Sequence, residues 1–493
     1  MTNQGGLAYD EGIRTGKSVS TNEIHDGSLR QLWKVSSGLM VSFLSMVAMM
    51  FVDRLFLSYY SAEALSAATS AGTLFWAGNF MWVTLAAMAE VFVAQYNGSK
   101  QYHKLGEPVW QMVWLSGFAF IFFVALGSFG SEVFRSMGLM NGPEVEFYRW
   151  NNYCAPFLTL LTGLSAFYIG QGKVSIIKWL GVLGNGINVI LDPLFIFGYK
   201  GIIPSMGIKG AAIATGIGII VQVAVLASLF LRKKNRDDFG TGDYRFKPLA
   251  FFKCLKVGAS PAIFVMFELL GWAIFYYWMK NISGTHILVA SVTQSVILLF
   301  LFFGLGLEKG AAAVSGNLIG ARKIGEVGRL FRSGFKLSLI FGGVLLIALG
   351  GFPDLFIDLF FKNPEAMHST FLSVTPSMLA EIKETLRIAM IIVAVYVTLE
   401  NIRWLLSGLL TSAGDTFFLL ISGAISIWVF MLLPTYFLVY RPKAPIETTY
   451  YIWIFYCLMA MGIPYLRFRK GKWKEKHLIE LNESELKKTP SNV

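Results

Sequence analysis

Long, nearly unbroken apolar stretches recur along this chain from Leu32 to Leu466, among them Val113 to Phe129, Ala211 to Leu231 and Phe417 to Val439. Each is close to the roughly 20 residues an α-helix needs to cross a bilayer. Barrel strands would show short segments of alternating apolar and polar residues, and these runs do not alternate. Isolated strands would also leave backbone groups unsatisfied in hydrocarbon, so the pattern predicts helices. Hydropathy, glycine and proline breaks and charged loops place twelve spans, at 31–59, 64–97, 108–138, 147–171, 176–199, 205–232, 250–280, 285–319, 329–361, 385–411, 415–440 and 448–468.

The internal stretch richest in basic residues is 232–256, with Arg232, Lys233, Lys234, Arg236, Arg245, Lys247, Lys253 and Lys256, and it divides the spans six and six. The expected organisation is a polar cytoplasmic tail (1–30), an N-terminal six-helix lobe (31–232), a cytoplasmic linker (233–249), a C-terminal six-helix lobe (250–468) and a basic cytoplasmic tail (469–493). Because six is even, both lobes enter the membrane in the same sense. They are therefore parallel repeats related by a pseudo-two-fold axis along the membrane normal. Local echoes support a duplication. Gln95 precedes Gly98 as Asn317 precedes Gly320, Leu105-Gly106-Glu107 matches Ile324-Gly325-Glu326, and Gly172 to Pro193 matches Gly414 to Pro434.

Composition removes the soluble alternative: the chain is 55% hydrophobic and 15% charged, where soluble domains are about 25% charged. A net charge of +12 would suit nucleic acid. The bases, however, gather in the even-to-odd connections and after the last span, at Arg467, Arg469, Lys470, Lys472, Lys474 and Lys476. That is the positive-inside bias, with Arg441 and Lys443 as exceptions. It predicts a multi-pass protein of the inner (plasma) membrane, both termini cytoplasmic, with no nucleic-acid partner. The first apolar segment exceeds a signal-peptide core of about 7 to 15 residues, so no cleavage is expected. Cys154, Cys254 and Cys457 lack zinc-type spacing, and no metalloprotease or nucleophile-elbow motif argues for an enzyme.

An ionisable residue at a helix centre costs about 2.5 to 3.5 kcal/mol on insertion scales, so such residues are usually functional. Asp53, Glu90, Asp192 and Glu268 qualify. Asn188 lies four residues before Asp192, on the same helical face, and Pro193 frees the carbonyl four residues before it. Together they offer the oxygen ligands a hard cation takes. Plainer readings stand beside these: Asp53 paired with Arg54 at the outer interface, Asn188 and Asp192 as a structural hydrogen-bonded pair, and Glu90 open between the two. Glu268 has no basic residue in its own run, Ala259 to Met279. Asp415 is either a further functional acid or, within Gly414-Asp415-Thr416, the cap of the next helix. Glu400 and Arg403, three apart, neutralise each other. Lys173 and Lys178 read as loop anchors. Trp76, Phe80, Trp82, Trp272, Phe275, Tyr276, Tyr277 and Trp278 read as interface packing or as faces for flat cations.

Several segments, in order and spacing, together resemble the multidrug and toxic compound extrusion (MATE) exporters over roughly residues 31 to 468. They are Val52 to Phe56 with Ala67-Ala68, Val93-Ala94-Gln95 with Gly98, Asn188 to Pro193, Gly207 to Thr215, Phe267-Glu268 and Gly414-Asp415. The resemblance implies a central cavity that opens alternately to each side and export driven by inward flow of protons or sodium ions. It implies a cation-coupling site at Asp53, Asn188, Asp192 and Thr215, with Na+ held at the first three when sodium is the coupling ion. It also implies a substrate or second coupling site at Glu268 and Asp415. The expected cargo is an organic, cationic or amphipathic small molecule, carried by a monomer in membrane lipid with no cofactor beyond H+ or Na+. A flippase for a lipid-linked precursor is the alternative. Its anionic headgroup favours a basic cavity, whereas the charges within these spans are mostly acidic, with Arg403 the main exception.

Overall fold

The computed structural model describes residues 26–138, 140–361, 376–476 and 478–479. Most of the expected 1–30 tail and the end of the 469–493 tail therefore lie outside the described residues. Among those described the chain is helical, apart from one isolated bridge between Tyr199 and Ile203. Eleven helices are long and apolar enough to cross a membrane, and a bent pair supplies the twelfth span.

The N-terminal lobe contains α1 (Leu29–Tyr60), α2 (Ala62–Ala87), α3 (Ala89–Gly98), α4 (Gly106–Ala125), α5 (Gly142–Gly170), α6 (Val174–Ile196) and α7 (Ile208–Phe230). The C-terminal lobe contains α8 (Pro248–Ile282), α9 (Gly284–Leu299), α10 (Leu301–Gly320), α11 (Ile324–Gly351), α12 (Pro376–Ser412), α13 (Thr416–Ile427) and α14 (Glu447–Lys470). Two expected straight spans are broken. The second divides at Met88 and the eighth at Phe300, where the helices bend by 44°. At both breaks the amide reaches back three residues, Met88 to Leu85 and Phe300 to Ile297, the tightened turn that ends an α-helix. The expected ninth span also stops early, at Gly351. Pro353 starts a separate helix to Phe361, a first-turn position where its missing N–H is harmless.

Local chemistry repeats between the lobes. Ser61 (φ −167°, ψ 150°) joins α1 to α2 and Ser283 (φ −166°, ψ 162°) joins α8 to α9. Each hydroxyl accepts the amide of the third residue on, Ala64 or His286, as an N-cap should. Lys100 and Arg322 both adopt left-handed φ, 62° and 60°, as do Gly172 and Gly414, 74° and 82°. The two lobes are thus one backbone design used twice.

Two apolar clusters join the lobes. One unites Leu32, Val35, Leu39 and Met40 of α1 with Phe303, Leu307 and Val314 of α10. The other unites Met88, Phe92 and Met112 with Phe251, Cys254 and Val257 of α8. Clusters at the other end stay within a single lobe, such as that around Phe275, Trp453 and Tyr456 or that around Phe75, Phe123 and Tyr148. The lobes are therefore closed on each other at the end that carries Leu29 and the linker. At the closed seam α3 and α10 cross so tightly that a Cβ on Gly98 would lie 2.0 Å from the Asn317 carbonyl oxygen and one on Gly320 2.1 Å from that of Gln95. The reciprocity is that of a two-fold axis. Asn97 Nδ2 donates to Asn317 Oδ1 at 2.6 Å across it.

The linker and tail brace this end. Trp110 Nε1 donates to the Thr241 carbonyl at 2.8 Å, and Lys247 reaches Glu107 at 2.7 Å. After α14, Trp473 stacks on Phe468, Leu478 covers Gly414 and Ile479 is buried in the inter-lobe cluster of Phe92 and Phe251.

Candidate functional site

In the N-terminal lobe the site is assembled by a close approach of α6 and α7. A Cβ on Gly218 would lie 2.7 Å from the Gly184 carbonyl oxygen, so no larger residue fits there. One turn on, Asn188 Nδ2 donates to Thr215 Oγ1 at 3.1 Å and to Asp192 Oδ1 at 3.3 Å. Asn188 and Asp192 are fully buried. From α1, the Asp53 carboxyl comes within interaction range of Asp192 and Thr215. All four expected residues thus meet, although they come from three helices. No ion pair joins Asp53 to Arg54 among the described residues.

Asp53 Oδ1, Asn188 Oδ1 and Asp192 Oδ2 are buried without a hydrogen-bond donor. Buried polar atoms are ordinarily satisfied, and two carboxyls cannot touch as bare anions without strong repulsion. The donor set is all oxygen, which suits a proton or a hard monovalent cation. Among the described residues no group of three or more His, Cys, Asp or Glu could hold a metal ion.

The acids of the C-terminal lobe have company. The Glu400–Arg403 pair expected from the sequence is present, with Arg403 Nη2 2.6 Å and Nε 2.9 Å from Glu400 Oε2. Trp404 Nε1 adds a bond to the same oxygen at 3.1 Å. Arg403 Nη2 also lies 3.4 Å from Glu268 Oε1. Glu268 therefore has a basic partner, supplied by α12, which scanning its own run could not reveal.

Asp415 is elsewhere. Its carboxylate accepts from Arg467 Nε at 2.7 Å and Lys476 Nζ at 2.6 Å. Asp415 stands at the N-cap position of α13, after Gly414 in the left-handed conformation (φ 82°), but its side chain makes no bond to the start of that helix because two cations have claimed both oxygens. It does not join Glu268.

Sequence reasoning also missed Lys309. It meets Glu90 at 2.8 Å, and the available signal was a base inside an apolar span. The aromatic residues mostly pack on one another: Trp272 and Phe275 on Trp453, Trp278 on Tyr440, Trp82 on Phe122. Lys173 lies over Phe239 of the linker, as a loop anchor would.

The MatE family profile matches residues 39–194 and 261–437, most of both lobes. This chain belongs to the MatE family. A probable multidrug resistance protein NorM of Thermotoga maritima is 22% identical over 432 residues, spanning 87% of this chain and 89% of that relative. A probable multidrug resistance protein YoeA of Bacillus subtilis is 24% identical over 337 residues, 66% and 70% of the two chains. Among solved structures, a MATE protein crystallised in complex with MaD3S superposes with a TM-score of 0.77 at 17% identity, covering 92% of this chain and 98% of its own. An outward-facing MATE family multidrug resistance transporter of the MOP superfamily gives 0.74 at 17%, with 91% and 97% covered. At such identities the structures speak for the MatE fold.

Proposed function

We propose that this protein is an antiporter that exports organic, cationic or amphipathic small molecules by alternating access, driven by inward flow of H+ or Na+. One observation carries the reading: the Asp53 and Asp192 carboxyls interact directly, neither is ion-paired to a base among the described residues, and three donorless oxygens belong to the group. Such a pair must hold a proton or a cation between its members. Taking up that ion draws α1 toward α6, and losing it lets the two carboxyls repel. Ion occupancy thereby sets helix geometry. An inward-moving charge contributes about 2.3 kcal/mol per 100 mV. The names of the NorM and YoeA relatives support drug-like cargo.

The flippase alternative needs free bases for an anionic headgroup. Arg403 and Lys309 are both paired with carboxylates, which counts against it. We place the protein in the plasma membrane as a monomer, with the linker and both termini cytoplasmic. Asp237→Cys in the linker is then labelled by an impermeant thiol reagent only from the inside.

The deciding experiment is export from proteoliposomes under separately imposed proton and sodium gradients. Coupled export under one or both is expected. Equal rates with neither gradient would sink the antiport reading.

A further inference from the structure

Glu90 and Lys309 form an ion pair that the mechanism above does not use. Glu90 lies on α3, just past the break at Met88, and its side chain is 4% exposed. Lys309 lies on α10. Its ammonium donates to Glu90 Oε1 at 2.8 Å. The pair bridges the two lobes, whereas the Arg403 cluster and the Asp415 pairings each stay within the C-terminal half. It also sits inside the closed seam. On α10 it is flanked by Gly306 and Gly310, which press on Met40 and Ser36 of α1, and further along by Gly316 against Ala94 of α3. Any motion that opens this end must separate Glu90 from Lys309.

We infer that Glu90 and Lys309 form an inter-lobe charge latch, which turns Glu90 into a proton acceptor each time this end of the seam opens. The inference rests on the alternating-access reading, since it assigns the latch to one of its two states. The charges make the two partners unequal. Glu308 adjoins Lys309 on α10 and is fixed by Ser407, whose hydroxyl donates to Glu308 Oε1 at 2.7 Å. Lys309 and Glu308 are the charged groups that act on Glu90, and Glu308 also interacts with Lys309. On separation Lys309 keeps the Glu308 carboxylate beside it on α10, while Glu90, on α3, is left without a charged partner. A carboxylate stripped of its partner in a poorly solvated site is strongly disfavoured. Glu90 therefore takes one proton from the water admitted on that side and becomes neutral. On closure it returns the proton to the same water, and the Lys309 ammonium, charged throughout, pairs with it again. Acid favours the open seam and alkali the closed one.

The test reads the seam, not transport. In protein with Cys154, Cys254 and Cys457 replaced, a cysteine at Ala94 is buried against Gly316 and reacts with a maleimide only when the seam opens. Glu90→Gln and Lys309→Met should each raise the labelling rate about tenfold, equivalent to about 1.4 kcal/mol. The charge exchange Glu90→Lys with Lys309→Glu should return it toward the starting value. Expressed relative to a free-thiol peptide at the same pH, which removes the thiol's own ionisation, labelling should quicken as pH falls when Glu90 is intact and become flat with pH in Glu90→Gln. Asp53→Asn/Asp192→Asn protein serves as the common background, so that their titration does not contribute. If a single variant fails to fold, Glu90→Gln combined with Lys309→Met leaves no unpaired charge, and fast, pH-independent labelling is expected of it. Unchanged labelling in the neutral variants, or a charge exchange no better than the singles, overturns the latch. Since no gradient or substrate enters the assay, that failure is distinct from a failure of coupled export.

Discussion

Each lobe brings carboxylates from neighbouring helices together inside the membrane, but the two lobes treat them differently. In the N-terminal lobe Asp53 and Asp192 meet beside the amide of Asn188 and the hydroxyl of Thr215, with no ion pair to a base among the described residues. In the C-terminal lobe Glu268 and Glu400 share the guanidinium of Arg403. A resident cation neutralises most of the second cluster. The first needs an ion from outside the protein. Duplication has thus preserved backbone, visible in the matched Ser61 and Ser283 junctions, without preserving charge. An acid pair not ion-paired to a base can respond to an ion gradient, and one built around a base has most of its charge answered without one.

The largest effect that this contrast predicts is loss of coupled export on neutralising either N-terminal acid. Asp53→Asn and Asp192→Asn should each bring gradient-driven export in proteoliposomes to background. The double variant should be little worse than either, as for residues that act as a unit. Losses that multiply would mean two independent acids and would break the comparison at its stronger side.

The C-terminal cluster should fail by a different route. Arg403→Leu leaves Glu400 and Glu268 without their base, and removing one member of a buried pair costs about 3 to 5 kcal/mol. A marked drop in thermal stability in detergent is expected. Glu268→Gln gives up only the longer 3.4 Å contact and should fold normally while exporting poorly. A stable Arg403→Leu protein would show that this cluster, too, holds an exchangeable ion.

How far the sequence could lead depended on whether partners shared a helix. Asn188 with Asp192, and Glu400 with Arg403, lie three or four residues apart, so helical periodicity alone paired them. Twelve spans were legible because hydropathy is a local property. Arg403 against Glu268 and Lys309 against Glu90 join residues 135 and 219 positions apart, and no periodicity connects them. The breaks at Met88 and Phe300 were hidden for a similar reason: neither carries proline or glycine, and each turn tightens where α3 and α10 bend to meet across the seam. The Asp53 contact lay between these cases. Family resemblance linked it to Asp192, while its position late in the span argued for the interface.

The smallest effect concerns Asp415, the acid whose charge is most fully answered. Burial alone would lift its pKa, but the hydrogen bonds from Arg467 and Lys476 outweigh burial and hold it below the ordinary carboxylate value. A carboxyl with a depressed folded pKa adds stability above its unfolded pKa, about 3.9 for Asp, and loses it only as pH falls through the depressed value. Between pH 5 and pH 8 its contribution is therefore constant, and the tail from Trp473 to Ile479 should stay fastened across that range. Lys476→Gln removes one of the two cations. Lys476 is 39% exposed in its side chain and Arg467 remains, so the loss should be no more than about 1 kcal/mol. Thermal unfolding of Lys476→Gln against the parent at pH 5 and pH 8 checks this, with the same small difference expected at both. A difference that grows toward pH 5 would show that Asp415 titrates in the working range, and it would then belong with Asp53 and Asp192 as an acid free to exchange its ion.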